Sequence, residues 1–283
     1  MERFSTSLLG EAKTLLLATD GSRFSDGAIQ EAIFFGQTCR ARIIVLHVVS
    51  TQAESINAAS FAVRQGRQDL APHLDLIRKM AADSGVEIEA VVLGSSKPEQ
   101  TIVEQARLRN VDVILMGRHG KKGRLSHLVG RMTAKVIALG FPRVLVAPED
   151  FIITGSRILL AVDGSANSRQ ATREALSLGQ TCTTLQRLTV MSVAKKERDR
   201  VEAQKLVDEV CTWGLQESLR IPCDPLVAVG DPAQCIVAAA RRLEVDMILI
   251  GGRGKRGVLK MLMGHVTEQV IGTAPCALLV VTV

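Results

Sequence analysis

Residues 111–131 read VDVILMGRHGKKGRLSHLVGR, and this stretch decides how the rest of the chain is interpreted. It begins with a short apolar run, Val113 to Met116, that ends in glycine, which is typical of a strand buried in a parallel sheet. A basic, glycine-rich loop follows, and a helix is predicted to open at Gly130. A glycine loop that leads into a helix offers free backbone N–H groups and the positive end of the helix dipole. The stretch therefore predicts a site for a phosphate group.

The charge of this loop supports the same prediction. From Gly117 through Lys135 the sequence holds no acidic residue and six Lys or Arg residues, which are Arg118, Lys121, Lys122, Arg124, Arg131 and Lys135. The net charge of the chain is +6 at pH 7, and much of it lies in this loop and its repeat, which favours a compact anion over a nucleic-acid track. Aromatic residues are scarce, with one Trp, seven Phe and no Tyr, which also argues against stacking on nucleic-acid bases.

The same stretch occurs a second time in the chain. Residues 107–125 align without a gap with residues 241–259, and ten of the nineteen positions are identical. The second copy reads VDMILIGGRGKRGVLKMLMGH and keeps the strand, the glycines and four cations. Because 283 residues are enough for two domains with separate cores, we predict two repeated domains, 1–150 and 151–283.

Each half is predicted to alternate strands with helices. In the first half the predicted strands are residues 15–19, 43–49, 86–93, 113–116 and 143–147, and the second half repeats the order. This alternation predicts the α/β class, with a parallel sheet, right-handed crossovers and the third strand at an edge. Gly36 is predicted to close the first helix, and Pro72 is a candidate break point in a long helical region.

An aspartate follows the first strand of each half. Ligands bind such sheets at the carboxyl ends of the strands, where the strand order reverses. If the first and fourth strands are neighbours, Asp20 faces Gly117 and Asp163 faces Gly251 across that edge. A turn role alone would also suit an Asp-Gly pair, but the repetition opposite a phosphate-type loop favours contact with a ligand.

Both halves resemble the universal stress protein family. The nucleotide-binding branch of that family carries an Asp after the first strand and the glycine pattern G-x2-G-x9-G-S/T. Asp20 and Asp163 match the aspartate, and the glycines are matched by Gly117, Gly120 and Gly130 and by Gly251, Gly254 and Gly264. The resemblance implies two doubly wound α/β domains, each a five-stranded parallel sheet of order 3-2-1-4-5 with helices on both faces.

The resemblance also implies a function. The chain is expected to bind an adenine nucleotide (ATP, ADP or AMP), with or without Mg²⁺, as a sensor or regulatory module in the stress response. By analogy, the aspartate positions the adenosine, backbone near Val49 and Val193 meets the adenine, and the glycine loop holds the phosphates. The fifth strands are expected to pair the halves into an internal pseudo-dimer, and two chains are expected to form a homodimer.

The position after the last glycine departs from the family pattern. The small hydroxyl residue is replaced by Arg131 in one half and by His265 in the other. Arg131 can contact phosphate through its guanidinium group or fill the phosphate position with its bulk, and a protonated His265 can bind phosphate. One alternative function is therefore a scaffold that acts through protein contacts because these side chains close both sites.

A second alternative is an ATP hydrolase of the related adenine-nucleotide hydrolase group. That group requires an SGGxDS-like loop after the first strand, whereas DGSRFS and DGSANS stand there. No catalytic triad, carboxylate pair or metal cluster recurs at the predicted cleft. ATP is therefore expected to be held, with slow hydrolysis at most.

The remaining motifs point away from other classes. Gly252 to Gly257 match GxGxxG, but a dinucleotide fingerprint opens the first βα unit and has an acidic partner about twenty residues further on. The six cysteines show no CxxC pair and no zinc-ligand spacing, and they are predicted to be small buried residues in a reducing compartment. Without a signal-peptide pattern or a membrane-spanning run, a cytoplasmic protein that does not bind membranes is expected.

Overall fold

A computed structural model describes residues 12–51, 56–118, 130–150, 152–182, 184–217, 219–254 and 263–283. The first half consists of β1 (Thr14–Ala18), α1 (Asp26–Cys39), β2 (Arg42–Ser50), α2 (Ile56–Asp83), β3 (Ile88–Ser95), α3 (Pro98–Leu108), β4 (Val113–Gly117), α4 (Arg131–Ala138) and β5 (Arg143–Ala147). The second half consists of β6 (Arg157–Ala161), α5 (Ala166–Thr181), β7 (Arg187–Ala194), α6 (Arg200–Gln216), β8 (Cys223–Val229), α7 (Pro232–Arg242), β9 (Met247–Gly251), α8 (His265–Thr273) and β10 (Ala277–Val281). The predicted alternation of strands and helices is confirmed.

The ten strands form one sheet in the order β3-β2-β1-β4-β5-β10-β9-β6-β7-β8. Within each half neighbouring strands are parallel and follow the order 3-2-1-4-5, which confirms the predicted fold. The third strands of the two halves lie at the two edges. β5 and β10 are antiparallel, with Leu145 opposite Leu279, so the predicted pairing of the fifth strands is also confirmed.

Alternate side chains of the strands enter two hydrophobic layers. In β1, Leu15 and Leu17 belong to one layer and Leu16 and Ala18 to the other, because successive side chains of a strand point to opposite faces. Helices α1, α2, α5 and α6 cover the first face of the sheet, and α3, α4, α7 and α8 cover the second. Each layer contains residues of both halves, so the core is continuous across the seam between β5 and β10.

Two helix predictions need correction. The first helix passes through Gly36 and ends at Cys39. A Cβ added at Gly36 would lie 2.7 Å from Val86 Cγ1, so this glycine allows close packing on the sheet and does not terminate the helix. The candidate break at Pro72 is absent, and α2 is one helix around it. Pro72 is exposed, where a carbonyl oxygen deprived of its N–H partner can meet water.

Candidate functional site

The turn after the first strand packs against the end of the fourth strand in both halves. β1 and β4 are hydrogen-bonded neighbours, and so are β6 and β9, as the predicted site requires. A Cβ added at Gly117 would overlap the carbonyl oxygen of Phe24, which lies in the turn after Asp20. At the matching place in the second half, a Cβ at Gly251 would lie 2.9 Å from Asn167 Cβ. Both glycines therefore allow a close backbone approach at the carboxyl edge of the sheet.

The two ends of each glycine loop are tied together by a backbone hydrogen bond. The Gly130 N–H donates to the carbonyl oxygen of Arg118 over 2.8 Å, and the Gly264 N–H donates to that of Gly252 over 2.9 Å. Residues 119–129 and 255–262, between these ends, lie outside the described residues, and the predicted site residue Gly120 is among them. Each loop thus leaves β4 or β9 and returns to a helix start beside the same strand end.

A buried threonine fixes each of these helices to the strand before the loop. Thr133 Oγ1 donates to the carbonyl oxygen of Gly117 over 3.0 Å, and Thr267 Oγ1 donates to that of Gly251 over 2.8 Å. Both threonines are the third residue of their helix, and each is 3% exposed. Both lie beyond the repeated stretch 107–125 and 241–259, although they keep the spacing of the repeated glycines.

The starts of α4 and α8 present backbone donors to the cleft. Their N-cap residues are Gly130 and Gly264, with φ/ψ of −57°/135° and −66°/138°. Because glycine has no side chain that could cap a helix, the N–H groups of the first turn stay available to a ligand. Arg131 and His265 are the first residues of these helices, and both side chains are exposed.

The two aspartates are held differently. Asp20 Oδ1 accepts hydrogen bonds from the backbone N–H and the hydroxyl of Ser22, at 3.0 and 2.6 Å. Asp163 Oδ1 accepts a bond from the Ser165 N–H at 2.9 Å. The second oxygen of Asp163 lies 2.5 Å from the place that a Cβ would take at Gly254, so the loop backbone touches this carboxylate and a side chain at position 254 would have to displace it. The structure therefore brings two predicted site residues of the second half together.

Polar side chains after β6 bind the second loop to the sheet. Asn167 Nδ2 donates to the carbonyl oxygen of Arg253 over 3.1 Å, and Asn167 Oδ1 accepts from the Val283 N–H over 2.9 Å. Ser165 Oγ donates to the same Arg253 oxygen over 3.3 Å and accepts from the Ser168 N–H over 3.1 Å, which caps α5. These contacts were not predicted, because the partners of Asn167 are backbone atoms far away in the sequence.

The two valines expected near the adenine are not at equivalent positions. Both are half-buried near the carboxyl end of the second strand, but strand register makes Val193 the counterpart of Val48. Val49 packs on the α2 side, where a Cβ added at Gly66 would lie 2.6 Å from its Cγ2. Val193 packs on the opposite side of the sheet. An adenine contact that is the same in both halves can therefore involve only the backbone at this edge, and not the side chains of Val49 and Val193.

Two arginines next to the glycine loops reach across the seam to the other half. Arg118 Nη2 donates to the carbonyl oxygen of Ala274, after α8, over 2.6 Å, and Arg253 Nη2 donates to that of Ala138, at the end of α4, over 3.0 Å. Guanidinium groups are favourable at helix carboxyl ends because of the helix dipole. Burial lowers the pKa of Arg118, although a guanidinium group stays charged at neutral pH. Arg118, counted among the loop cations, therefore serves the contact between the halves.

Two other kinds of site are absent from the part of the chain that the structure describes. It holds no group of three or more His, Cys, Asp or Glu side chains placed to bind a metal ion. None of its helices combines the length and the apolarity needed to cross a lipid bilayer.

Two α/β units of equal strand order, each with a glycine loop between its fourth strand and a helix, define a tandem protein of the doubly wound α/β class. The sequence model of the universal stress protein family matches residues 11–148 and 155–282. The chain belongs to the universal stress protein family, and it is a tandem member because both halves match.

Individual relatives cover one or both halves. A universal stress protein of Synechocystis sp. is 23% identical over 285 residues, which is 92% of this chain and 96% of the relative. One of Methanocaldococcus jannaschii is 31% identical over 144 residues, 48% of this chain and 82% of the relative. The crystal structure of a universal stress protein from Archaeoglobus fulgidus has a TM-score of 0.76 at 21% identity and covers 95% of this chain and 98% of its own. At 21% identity this structural similarity is evidence for the fold alone.

Proposed function

We propose that this chain binds an adenine nucleotide, ATP, ADP or AMP, as a sensor or regulatory module in the stress response. The observation that carries the proposal is the contact of Asp163 with the loop at Gly254, beside the uncapped start of α8. A carboxylate and a helix N-terminus at one strand edge suit a ligand that has both hydroxyl donors and an anionic end.

The residues present fit the two ends of a nucleotide. The first-turn N–H groups after Gly264 and the positive end of the α8 dipole suit phosphate oxygens. The carboxylate of Asp163 would repel phosphate, but it accepts hydrogen bonds and so suits the ribose hydroxyls or another donor of adenosine. Asp20 and Gly130 offer the same combination in the first half. When Mg²⁺ accompanies the nucleotide, phosphate oxygens are expected to supply much of its coordination.

The proposal can be tested by looking for a bound nucleotide. The purified protein is denatured, and released small molecules are identified by mass spectrometry. In parallel, the melting temperature is measured with added ATP, since a ligand at a hundred times its Kd stabilises the folded state by about 2.7 kcal/mol. Absence of released nucleotide, together with a melting temperature that ATP, ADP and AMP all leave unchanged, would overturn the proposal.

Variants test whether the change of melting temperature with ATP depends on the assigned aspartates. Asp20→Ala combined with Asp163→Ala is expected to remove most of the shift that ATP produces in the wild-type protein. Asp69→Ala is the matched control, because it also removes a carboxylate, but from the exposed face of α2. An equal ATP shift in the double variant and in the control would count against the assigned aspartates.

The alternatives can be weighed against the same geometry. A scaffold with closed sites requires Arg131 and His265 to fill the phosphate positions, and their exposure does not favour this.

We propose ATP hydrolysis that is slow at most, a domain boundary at 150/151 in the connection between β5 and β6, a cytoplasmic location without nucleic-acid binding, and association of two chains into a homodimer.

A further inference from the structure

Two free thiols meet in the second half, away from the glycine loop. Cys211 lies in α6, and Cys223 is the first residue of the edge strand β8. Their Sγ atoms are 2.8 Å apart, and both side chains are half-buried. The two residues are twelve positions apart in the chain and belong to consecutive elements, so a bond between them would join α6 directly to the sheet edge.

We propose that Cys211 and Cys223 are a redox site that hydroperoxides convert into a disulfide and that a dithiol reductant converts back into two thiols. A disulfide has an S–S length of about 2.05 Å, so the sulfur atoms need to approach by only about 0.75 Å. Neither residue has to leave its helix or strand for such a movement. The pair was not predicted from the sequence, where its spacing matches no known thiol motif.

The chemical step balances with a hydroperoxide as the oxidant. The Cys211 thiolate attacks one peroxide oxygen, the O–O bond breaks, and the departing oxygen takes a proton and leaves as water when the peroxide is H₂O₂. Cys211 is then a sulfenic acid. The sulfur of Cys223 attacks that of Cys211, the S–O bond breaks, and the hydroxyl leaves with the Cys223 proton as a second water. The two thiols lose two electrons, and the peroxide gains them.

The contact also assigns the roles of the two thiols. The hydrogen bond between the two thiols lowers the pKa of Cys211, which favours the nucleophilic thiolate there. The same contact, together with burial, raises the pKa of Cys223, which suits the resolving thiol. Burial of Cys211 and the negative charges of Asp208 and Asp224 oppose the thiolate, but Arg187 lies 3.0 Å from the Asp224 carboxylate and offsets its charge.

The other cysteines of the second half are less suited to react. Cys182 and Cys276 are buried. Burial raises the pKa of the Cys276 thiol to about 12, so it stays protonated at neutral pH. Burial also raises the pKa of Cys235. Oxidation is therefore expected to begin at Cys211.

The helix that carries Cys211 also forms a wall of a cavity near the second candidate site. The cavity has a volume of ≈ 270 Å³, and α6 contributes Leu206, Glu209, Val210 and Trp213 to its lining. Val162 and Gly164, the neighbours of Asp163, line the same cavity. A disulfide would hold this wall against the sheet. Trp213, the single tryptophan of the chain, provides a fluorescence signal close to the pair.

The test uses the full-length protein, reduced, freed of reductant and treated with hydrogen peroxide. Thiols titrated under denaturing conditions should fall by two from the six of the reduced chain, and dithiothreitol should restore all six. Trypsin should then release residues 206–220 joined to residues 221–241, and fragmentation should place the bond at Cys211 and Cys223. An unchanged thiol count, a bond through other cysteines, or oxidation that stops at a sulfinic acid would overturn the proposal.

Variants separate this bond from adventitious oxidation. Cys211→Ser and Cys223→Ser should each abolish the linked peptide. Cys235→Ser is the matched control, because it alters the other cysteine of the same tryptic peptide and should leave the link in place. Trp213 fluorescence and melting temperature, measured on the reduced variants, establish that each one is folded. A link that persists in Cys211→Ser, or that disappears in Cys235→Ser, would contradict the assigned pair.

Discussion

The two halves share one sheet pattern but differ at the turn after their first strand. In the first half a short 3-10 turn over Arg23–Ser25 comes before α1, which starts at Asp26. In the second half α5 starts at Ala166, immediately after Ser165, whose side chain caps it. The earlier start of α5 is stabilised by this cap, which satisfies one of the N–H groups that a helix start leaves unpaired.

That difference changes what holds the loop. The second half places Asn167 where its side chain binds Arg253 and the chain beyond β10. The first half places Phe24 at the matching position, and there it is the backbone that packs against Gly117. The frame of the cleft therefore depends on backbone contacts present in both halves, whereas the polar contacts around it have diverged. The following changes test how far that divergence extends.

The largest effect on ATP binding is expected from Gly254→Val. Its side chain would displace the Asp163 carboxylate, so we expect the second site to lose affinity for ATP by about tenfold or more, or roughly 1.4 kcal/mol. Isothermal titration calorimetry should then show one strong site where the wild-type protein shows two. The sequence assigns Gly120 to the phosphate site of the first loop. The double variant Gly120→Val/Gly254→Val should therefore abolish the rise in melting temperature that ATP produces.

A double-mutant cycle provides the control for that change. In an Asp163→Ala background, Gly254→Val should cause little further loss, because the carboxylate that it displaces is already absent. Two strong sites in the Gly254→Val protein, with affinities like those of the wild type, would show that the loop glycine does not serve the second site.

The largest effect on stability is expected at the arginines that cross the seam. Arg118→Met should lower the free energy of unfolding by about 2–3 kcal/mol, because a charged donor is removed from a partly buried carbonyl oxygen. Arg253→Met should cost about 1–2 kcal/mol, since its bond is longer. Urea unfolding measures both. Arg67→Met, on the exposed face of α2, is the control and should change stability by less than about 0.5 kcal/mol. Losses no larger than that in the crossing variants would show that these bonds do not stabilise the seam.

The buried threonines test what the halves have in common. Thr133→Val and Thr267→Val keep the side-chain shape but remove the donor to the strand end, so each should cost about 1–2 kcal/mol in urea unfolding. Thr181→Val, which removes an exposed hydroxyl bonded within its own helix, is the control and should cost less. Costs that differ by more than about 1 kcal/mol between the two halves would contradict a shared frame.

The smallest effect is expected at the first residues of α4 and α8. Arg131→Ser removes an exposed charge near the helix start, so ATP affinity of the first site should fall about two- to fivefold at low salt and less at high salt. His265→Ser supplies the hydroxyl of the family pattern to the second site and is expected to leave affinity equal or higher. Titrations at two salt concentrations measure both changes. A loss in Arg131→Ser that does not depend on salt would point to a steric role for the arginine.

Much of the fold was predictable because buried parallel strands leave a strong signal. The apolar runs such as Leu15–Ala18 are buried on both sides of the sheet, so they stand out from the helices that cover them. The error at Gly36 has a local cause, since a glycine that permits close packing looks the same in sequence as one that ends a helix. Thr133 and Thr267 could have been found by extending the repeat comparison past the loops.

Other contacts leave no sequence pattern. Asn167 binds backbone atoms 86 and 116 residues away, and Arg118 binds one 156 residues away. Backbone carbonyl and N–H groups are the same at every position, so no residue type marks such partners. Cys211 and Cys223 meet only because α6 returns antiparallel to the strand that follows it. These features depend on tertiary packing and had to come from the structure.

The seam between β5 and β10 also fixes stoichiometry. If each half were a separate chain, the chains could exchange partners at this seam. Two different halves would then form a mixture of pairs, some of two identical halves and some of two different ones. Here the unlike pair is built into one polypeptide, so every molecule contains one copy of each cleft. The cysteine pair of the second half is therefore always present once per two clefts, at a ratio that expression level cannot change.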